Sequence, residues 1–171
     1  NDMDVRYPIG PFQRVEAYTA EQLEQWINTI AKLPRELNEH LQHRQDDALN
    51  VTYRQGGWSV RDVVHHLADS HVVAYMRMKL ALTEDAPTVT LYDEQRWSEL
   101  NDYHLPVHVS LTLLGALHMR WVELMRSITP DDLQRTFIHP EHGALRVADV
   151  IALYAWHSEH HLAHIKLALQ S

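Results

Sequence analysis

Residues 154–164 read Tyr-Ala-Trp-His-Ser-Glu-His-His-Leu-Ala-His, and they hold four of the chain's 14 histidines. Apolar residues around this stretch recur at intervals of three and four, which is the spacing of one buried helix face. With Tyr154 at the centre of that face, His161 lies about 20° from it and His157 about 60° from it, at roughly 100° per residue. His164 and His160 lie further round the helix. The periodicity therefore predicts that His157 and His161 point inward, one turn apart, as two ligands of one metal ion would.

A second helix is needed to complete such a site, because a divalent ion such as zinc takes at least three protein ligands. Residues 58–71 form a second amphipathic segment that contains His65, His66 and His71. His66 shares a helix face with apolar residues, whereas His65 points about 100° away from it. We therefore predict His66 as the third ligand. The alternative is that these histidines are hydrogen-bonded core residues, and for His71, which has no spaced partner, that is the favoured interpretation.

Composition limits the other classes of function. A chain of 171 residues with 45% hydrophobic content predicts one globular domain, residues 1–171, with a sizeable core. The absence of cysteine excludes disulfides and thiolate ligands, so a metal must be held by nitrogen and oxygen. The net charge of -8, without a lysine or arginine run, argues against a nucleic-acid partner. No stretch is long and apolar enough for a membrane span and the N-terminus lacks a signal peptide's apolar region, so a cytoplasmic location is expected.

Four long amphipathic helices are predicted after an extended or turning segment at residues 1–18. Capping boxes that begin at Thr19 and Ser59 start the first two helices. Pro34 interrupts the first apolar face, which predicts a kink or a break, and the face resumes in phase, which favours the kink. The third helix is predicted at residues 110–128, with His118 and Trp121 approaching the centre, and the histidine helix runs to the C-terminus. The fold class is therefore all-α, a four-helix bundle with one long crossover connection.

The crossover connection and the segment before the last helix carry shorter elements. Residues 83–109 make a long connection, in which residues 93–100 are predicted to form a short helix. His104 and His108 in that connection are predicted to be solvated. Residues 137–147 contain short β-like stretches around a proline and a glycine, which indicates a short β-hairpin before the last helix.

These motifs resemble a known family. The segments Gly-Trp-Ser-Val-Arg at 57–61, His-His-Leu-Ala-Asp-Ser-His at 65–71 and Trp-His-Ser-Glu-His-His-Leu-Ala-His-Ile at 156–165 resemble the DinB superfamily. They are most similar to its YfiT group, described as metal-dependent hydrolases and related to bacillithiol S-transferases. Further likeness at residues 7–10, 92–100 and 139–140 extends the resemblance over nearly the whole chain.

The resemblance implies a four-helix bundle that holds nickel or zinc with three histidines. Carried over by motif, these are His66, His157 and His161, the same residues that the helix geometry selects. The resemblance also suggests a homodimer, because some members of the superfamily are dimers. It assigns no further catalytic residue, and the roles of the other histidines stay open.

The chemistry of such a site follows from what stands beside the histidines. Ser158 occupies the place of the glutamate in the H-E-x-x-H metalloprotease motif, and Glu159 lies on the opposite helix face, which argues against a peptidase. A metal can hold a thiol as its thiolate without a protein base, which favours S-transfer from a low-molecular-weight thiol to a small electrophile. Hydrolysis by water activated on the metal is the close alternative. A structural or metal-sequestering site without catalysis is the second alternative, with His160 or His164 as a fourth ligand.

Overall fold

Four long helices form a bundle in the computed structural model, which describes residues 4–54 and 56–170. The helices are α1 (Ala20–Leu41), α2 (Val60–Thr83), a short α3 (Glu94–Ser98), α4 (Val107–Ser127) and α5 (Val147–Leu169). Short 3-10 turns at Asp46–Asn50, Asn101–His104 and Asp132–Gln134 lie in the connections. The first three residues of the predicted extended segment and the last residue of the predicted final helix lie outside the described residues, as does Gln55. Within the described ranges, no helix has both the length and the apolarity that a membrane crossing requires.

The predicted capping boxes are confirmed. Thr19 Oγ1 accepts a hydrogen bond from the Gln22 amide at 3.1 Å, and Gln22 Oε1 accepts one from the Thr19 amide at 3.2 Å. The same reciprocal pair joins Ser59 and Asp62, at 3.1 and 3.2 Å. These bonds satisfy amide groups that the first turn of a helix leaves without partners. Pro34 lies inside α1 without ending it, so the alternative of a break is wrong.

The third long helix begins three residues earlier than predicted, at Val107 instead of residue 110. Pro106 occupies the cap position with φ -58°, an angle that the proline ring imposes. The carboxylate of Asp46 accepts a long hydrogen bond from the Val107 amide at 3.4 Å. This cap comes from a residue 61 positions away, and local sequence rules could not have located it.

The packing of the helices places the two histidine-bearing helices side by side. Helices α1 and α2 each pack against both α4 and α5. One apolar cluster surrounds Trp121, which is fully buried, and a second surrounds Leu114 at the other end of the bundle. Because α2 and α5 are neighbours, inward side chains of the two helices can meet inside the bundle, as bundle metal sites require.

A β-hairpin precedes α5, as predicted. Strands β1 (Thr136–His139) and β2 (Gly143–Arg146) pair antiparallel, with Phe137 opposite Leu145. Gly143 has a φ of +74°, a backbone conformation that glycine adopts without steric cost. The hairpin also contacts α2, so it helps to hold the start of α5 against the bundle.

A buried carboxylate ties the N-terminal segment to the start of α5. Asp149 is 4% exposed and accepts hydrogen bonds from the amide and guanidinium of Arg146, at 2.9 and 2.8 Å, and from Arg14 Nε at 3.2 Å. Burial alone would raise the pKa of Asp149, but the bonds from Arg146 and Arg14 outweigh it and lower that pKa overall. Arg146 also donates to the carbonyl of Val15 at 3.1 Å.

Replacing Asp149 with alanine should therefore lower the free energy of unfolding by about 3 kcal/mol, since it leaves the largely buried Arg146 without a carboxylate to balance its charge. Urea denaturation measures the change. Asp93→Ala is the matched control, because Asp93 also caps a helix but is exposed. That control should cost about 1 kcal/mol or less. Equal losses for the two variants would show that the buried ion pairs add nothing beyond a helix cap.

Candidate metal centre

Helices α2 and α5 bring the three predicted histidines together. His66, His157 and His161 each offer one ring nitrogen, and these atoms all lie within 4.8 Å of one another. His66 Nε2 is 3.3 Å from His157 Nε2. The ring centroid of His161 lies 4.5 Å from that of His157 and 4.9 Å from that of His66. The two helices thus converge on the three residues that periodicity selected.

The spacing and the donor types fit a divalent metal. Zinc–nitrogen bonds of 2.0–2.1 Å in tetrahedral geometry separate two ligand nitrogens by about 3.3 Å. The observed separation of His66 Nε2 and His157 Nε2 is 3.3 Å. Imidazole nitrogen is a ligand type that suits zinc and nickel.

The three rings are also in the protonation state that a metal needs. Burial lowers the pKa of His66 to about 4, with a further contribution from His160. Burial lowers the pKa of His157 and His161 well below the usual value, and neighbouring histidines lower it further. All three are therefore neutral at neutral pH, and a neutral imidazole has a lone pair for a metal.

Behind His157 lies a pair of buried histidines. His71 is completely buried, with Nε2 3.2 Å from His157 Nδ1 and Nδ1 2.8 Å from His118 Nε2. His118 Nδ1 donates to the carbonyl oxygen of Ile30 at 2.8 Å. The prediction that His71 is a buried, hydrogen-bonded residue is confirmed, and so is the approach of His118 to the bundle centre. Their contact was missed, because it depends on the register of α2 against α4.

His160 and His164 come later along α5, where their rings lie 4.8 and 5.3 Å from that of His161. His164 Nε2 donates to the carbonyl of Arg6 at 2.8 Å, and His164 Nδ1 lies 3.2 Å from His161 Nδ1. His160, His161 and His164 form a second group with ring nitrogens within 4.8 Å of one another. Among the described residues, however, the group around His66 includes neither His160 nor His164. The fourth ligand that the alternative of a closed structural site would need is therefore not in this group.

The N-terminal segment covers this part of α5. The indole of Trp156 donates to the carbonyl of Gly10 at 3.0 Å, and the His160 ring stacks on Trp156 at 4.4 Å between centroids. His160 is 7% exposed, and within the described residues its Nδ1 has no hydrogen-bond partner. Helix periodicity placed His160 away from the core face. It is nevertheless buried, because a segment without regular structure folds over it.

The remaining histidines are outside the site. His65 points away from His66, as predicted, and its two ring nitrogens lie 2.6 Å from Ser110 Oγ and 2.8 Å from the carbonyl oxygen of Leu105. His104 and His108 are exposed, as predicted.

A cavity of about 520 Å³ lies beside the histidine group, with Tyr154 as the shared wall. Arg77, Tyr92 and Glu94 are among its lining residues, but none of the three candidate ligands lines it. The ring of Tyr154 is 5.1 Å from that of His157, and its hydroxyl is 3.2 Å from Ser70 Oγ. Burial raises the pKa of Tyr154, so its hydroxyl keeps its proton at neutral pH.

Helix α5 supplies no carboxylate to the site. Ser158 Oγ donates to the carbonyl of Tyr154 at 2.7 Å, and Glu159 is exposed. The predicted departure from the metalloprotease arrangement is therefore confirmed at both residues.

Comparison with known proteins places the chain in a family. Residues 32–165 match the model of the DinB superfamily. The chain belongs to the DinB superfamily. As in the resemblance seen in the sequence, the match includes all three candidate ligands, His66, His157 and His161.

Two proteins similar to this chain carry one shared description. A protein of Oceanobacillus iheyensis is 50% identical over 163 residues, which cover 95% of each chain, and it is named "Putative metal-dependent hydrolase OB0782". A Bacillus mycoides protein is 51% identical over 162 residues, covering 95% of this chain and 94% of its own, and is named "Putative metal-dependent hydrolase BcerKBAB4_2443".

Two solved structures show the same fold. YfiT from Bacillus subtilis, described as "a probable metal-dependent hydrolase with an unusual four-helix bundle topology", has a TM-score of 0.93 at 42% identity. The match covers 98% of this chain and 97% of YfiT. TT2238, a four-helix bundle protein, has a TM-score of 0.58 at 18% identity over 84% of this chain and 98% of its own, and supports the fold alone. The predicted four-helix bundle of the DinB superfamily is therefore confirmed.

Proposed function

We propose that the chain is a metal-dependent enzyme in which His66, His157 and His161 hold a zinc or nickel ion that activates a low-molecular-weight thiol. The observation that carries the proposal is the convergence of three neutral ring nitrogens within 4.8 Å of one another, from two helices. A metal bound by three histidines would lower the pKa of a coordinating thiol, so that the thiolate forms at neutral pH.

The residues around the histidines support a small-molecule reaction. The cavity of about 520 Å³ beyond Tyr154 has the volume of a small-ligand site. Tyr154 lines this cavity and its ring lies 5.1 Å from that of His157, so the cavity adjoins the histidine group. In the proposed reaction the thiolate sulfur forms a bond to the electrophilic carbon. With a haloarene, the halide would depart with its bonding electron pair and the thiol proton would pass to solvent; with an epoxide, the ring oxygen would keep the electron pair and take up a proton.

A thiol is favoured over water as the nucleophile because, among the described residues, the histidine group has no carboxylate beside it. In the part of the chain that the structure describes, the group around His66 contains histidines alone, without an aspartate or glutamate to act as a general base. A thiol has a pKa of about 8.5 before it binds a metal, whereas the metal alone would have to lower the pKa of water from about 15.7 to about 7, so the thiol depends less on a protein base.

Hydrolysis is the second candidate, and the names of the two similar proteins, both of which describe a metal-dependent hydrolase, support it. In that reaction an activated water would attack a carbonyl carbon, and the alcohol or amine would leave with the bonding pair and a proton. The same three histidines would hold the metal, so the two candidates differ in the nucleophile and not in the site.

Activity assays with and without a thiol separate the two candidates. We expect the zinc- or nickel-loaded protein to conjugate a small thiol to a haloarene or epoxide faster than the metal-free protein does. His157→Ala should remove this activity, and replacement of the exposed His104 by alanine should not. Ester or amide hydrolysis at an equal or higher rate without any thiol would establish the hydrolase instead.

A further inference from the structure

We propose that two chains of buried histidines select the ring tautomers of His157 and His161, so that both present an unprotonated Nε2 to the metal. The proposal rests on the metal site proposed above. It assigns His71, His118 and His164 as positioning residues, which act on the metal through the ligands and do not touch it.

The first chain starts at the backbone carbonyl of Ile30. A carbonyl oxygen can only accept a hydrogen bond, so His118 Nδ1, at 2.8 Å, must carry the proton. His118 is 2% exposed and burial lowers its pKa, so the ring is neutral. A neutral imidazole with its proton on Nδ1 has an acceptor at Nε2. The backbone therefore determines which nitrogen of His118 faces His71 as an acceptor.

The donor and acceptor roles of His118 then determine those of His71 and His157. His71 Nδ1 lies 2.8 Å from His118 Nε2, so it is the donor, and His71 Nε2 is left as an acceptor. His157 Nδ1 lies 3.2 Å from His71 Nε2 and donates to it. A neutral His157 with its proton on Nδ1 has its lone pair on Nε2. His157 Nε2 is the atom that lies 3.3 Å from His66 Nε2, so its lone pair would be available to a metal held by these two residues.

The second chain reaches the same result at His161 from another part of the backbone. His164 Nε2 lies 2.8 Å from the carbonyl oxygen of Arg6 and must donate to it, which leaves His164 Nδ1 as an acceptor. His161 Nδ1 lies 3.2 Å from His164 Nδ1 and is therefore the donor. The lone pair of His161 is again on Nε2.

Each of the two series of hydrogen-bonded histidines has a backbone carbonyl at one end, and this carbonyl determines which ring nitrogen is the donor in every bond of the series. A serine hydroxyl or a glutamine amide could donate or accept, whereas a carbonyl oxygen cannot reverse its role. The bonded Nδ1 atoms also restrict rotation of the ligand rings, so less freedom is lost when a metal binds. Partners of this kind commonly change metal affinity by about 10- to 100-fold.

The tautomers can be read directly in the metal-free protein by ¹⁵N NMR of the imidazole nitrogens. We expect the proton on Nδ1 in His118, His71, His157 and His161, and on Nε2 in His164. A proton on Nε2 of His157 or His161 in the folded, metal-free protein would overturn the proposal. This measurement needs neither metal nor substrate, so it separates failure of this inference from failure of the proposed enzyme activity.

Matched variants test the effect on the metal, with Zn²⁺ as the probe and a chelator as competitor. His71→Phe should weaken Zn²⁺ binding by about 10- to 100-fold, because His157 loses its acceptor. His65→Phe is the control, since His65 is buried on the same helix and bonded at both ring nitrogens but lies outside the site. A loss in His71→Phe with unchanged affinity in His65→Phe supports the proposal, and equal affinities in the two variants overturn it. If His71→Phe does not fold, the ¹⁵N NMR measurement of the histidine tautomers in the unmodified protein still tests the proposal.

Discussion

Replacing His157 with alanine should reduce Zn²⁺ affinity by more than about 100-fold. Removing a residue that only hydrogen-bonds to a metal ligand costs up to about 100-fold, and removing the ligand itself should cost more. The same loss is expected for His66→Ala and His161→Ala, because these three residues supply the ring nitrogens within 4.8 Å of one another. Metal content after purification without a histidine tag, followed by chelator competition, measures the change. Circular dichroism of each metal-free variant establishes that the bundle is intact.

His160→Ala provides the matched control, because His160 is the adjacent buried histidine on the same helix. Its Nδ1 has no hydrogen-bond partner within the described residues, so its removal breaks no bond at that atom. We expect Zn²⁺ affinity close to that of the unmodified protein. A large loss in His160→Ala with little loss in His157→Ala would instead favour the second group, His160, His161 and His164, as the metal site.

The three candidate ligands could be predicted from the sequence because metal ligands on a helix obey the same periodicity as core residues. His157 and His161 are one turn apart on the face that carries Ile151 and Ile165, and both of these isoleucines are fully buried. Selecting His66 instead of His65 required only the 100° step between neighbouring residues. The choice depends on each helix separately, and no knowledge of how the helices pack was needed.

The partners of the ligands could not be predicted in the same way, because they depend on relations between elements. His118 meets His71 only through the register of α4 against α2, which local periodicity does not encode. His164 is held by the carbonyl of Arg6, a residue 158 positions away in a segment without regular structure. The burial of His160 and the early start of α4 have the same origin, in contacts from distant parts of the chain.

Acidification should unfold the metal-free protein between about pH 6 and pH 4, because buried neutral histidines resist protonation. Burial lowers the pKa of His66 and of His118 to about 4, and that of His71 well below its usual value. In the unfolded chain the same groups titrate near 6.5. Between these values the unfolded chain binds more protons, so stability is full above about pH 6.5 and is lost as pH falls toward the folded values.

The expected change in the free energy of unfolding per pH unit is large enough to measure. Each histidine that is protonated only in the unfolded chain removes about 1.4 kcal/mol per pH unit, so three remove about 4 kcal/mol per pH unit. Total stability of such a domain is about 5–15 kcal/mol, which two pH units can exhaust. Denaturant titrations of the metal-free protein at several pH values measure the slope. His118→Phe should reduce this slope by about 1.4 kcal/mol per pH unit, the contribution of one proton.

Bound Zn²⁺ should raise the melting temperature at neutral pH and lose this effect as the pH falls, because the metal and protons compete for the same ring nitrogens. The metal-free protein should still be folded at neutral pH, since the clusters around Trp121 and Leu114 form an apolar core without the metal. Thermal melts with and without Zn²⁺ between pH 5 and 8 test both statements. Identical melting temperatures at neutral pH, with Zn²⁺ bound, would contradict the coupling between site and fold. A metal-free chain that is unfolded at neutral pH would identify the metal as chiefly structural, because a bundle with an independent core should lose only the metal's contribution.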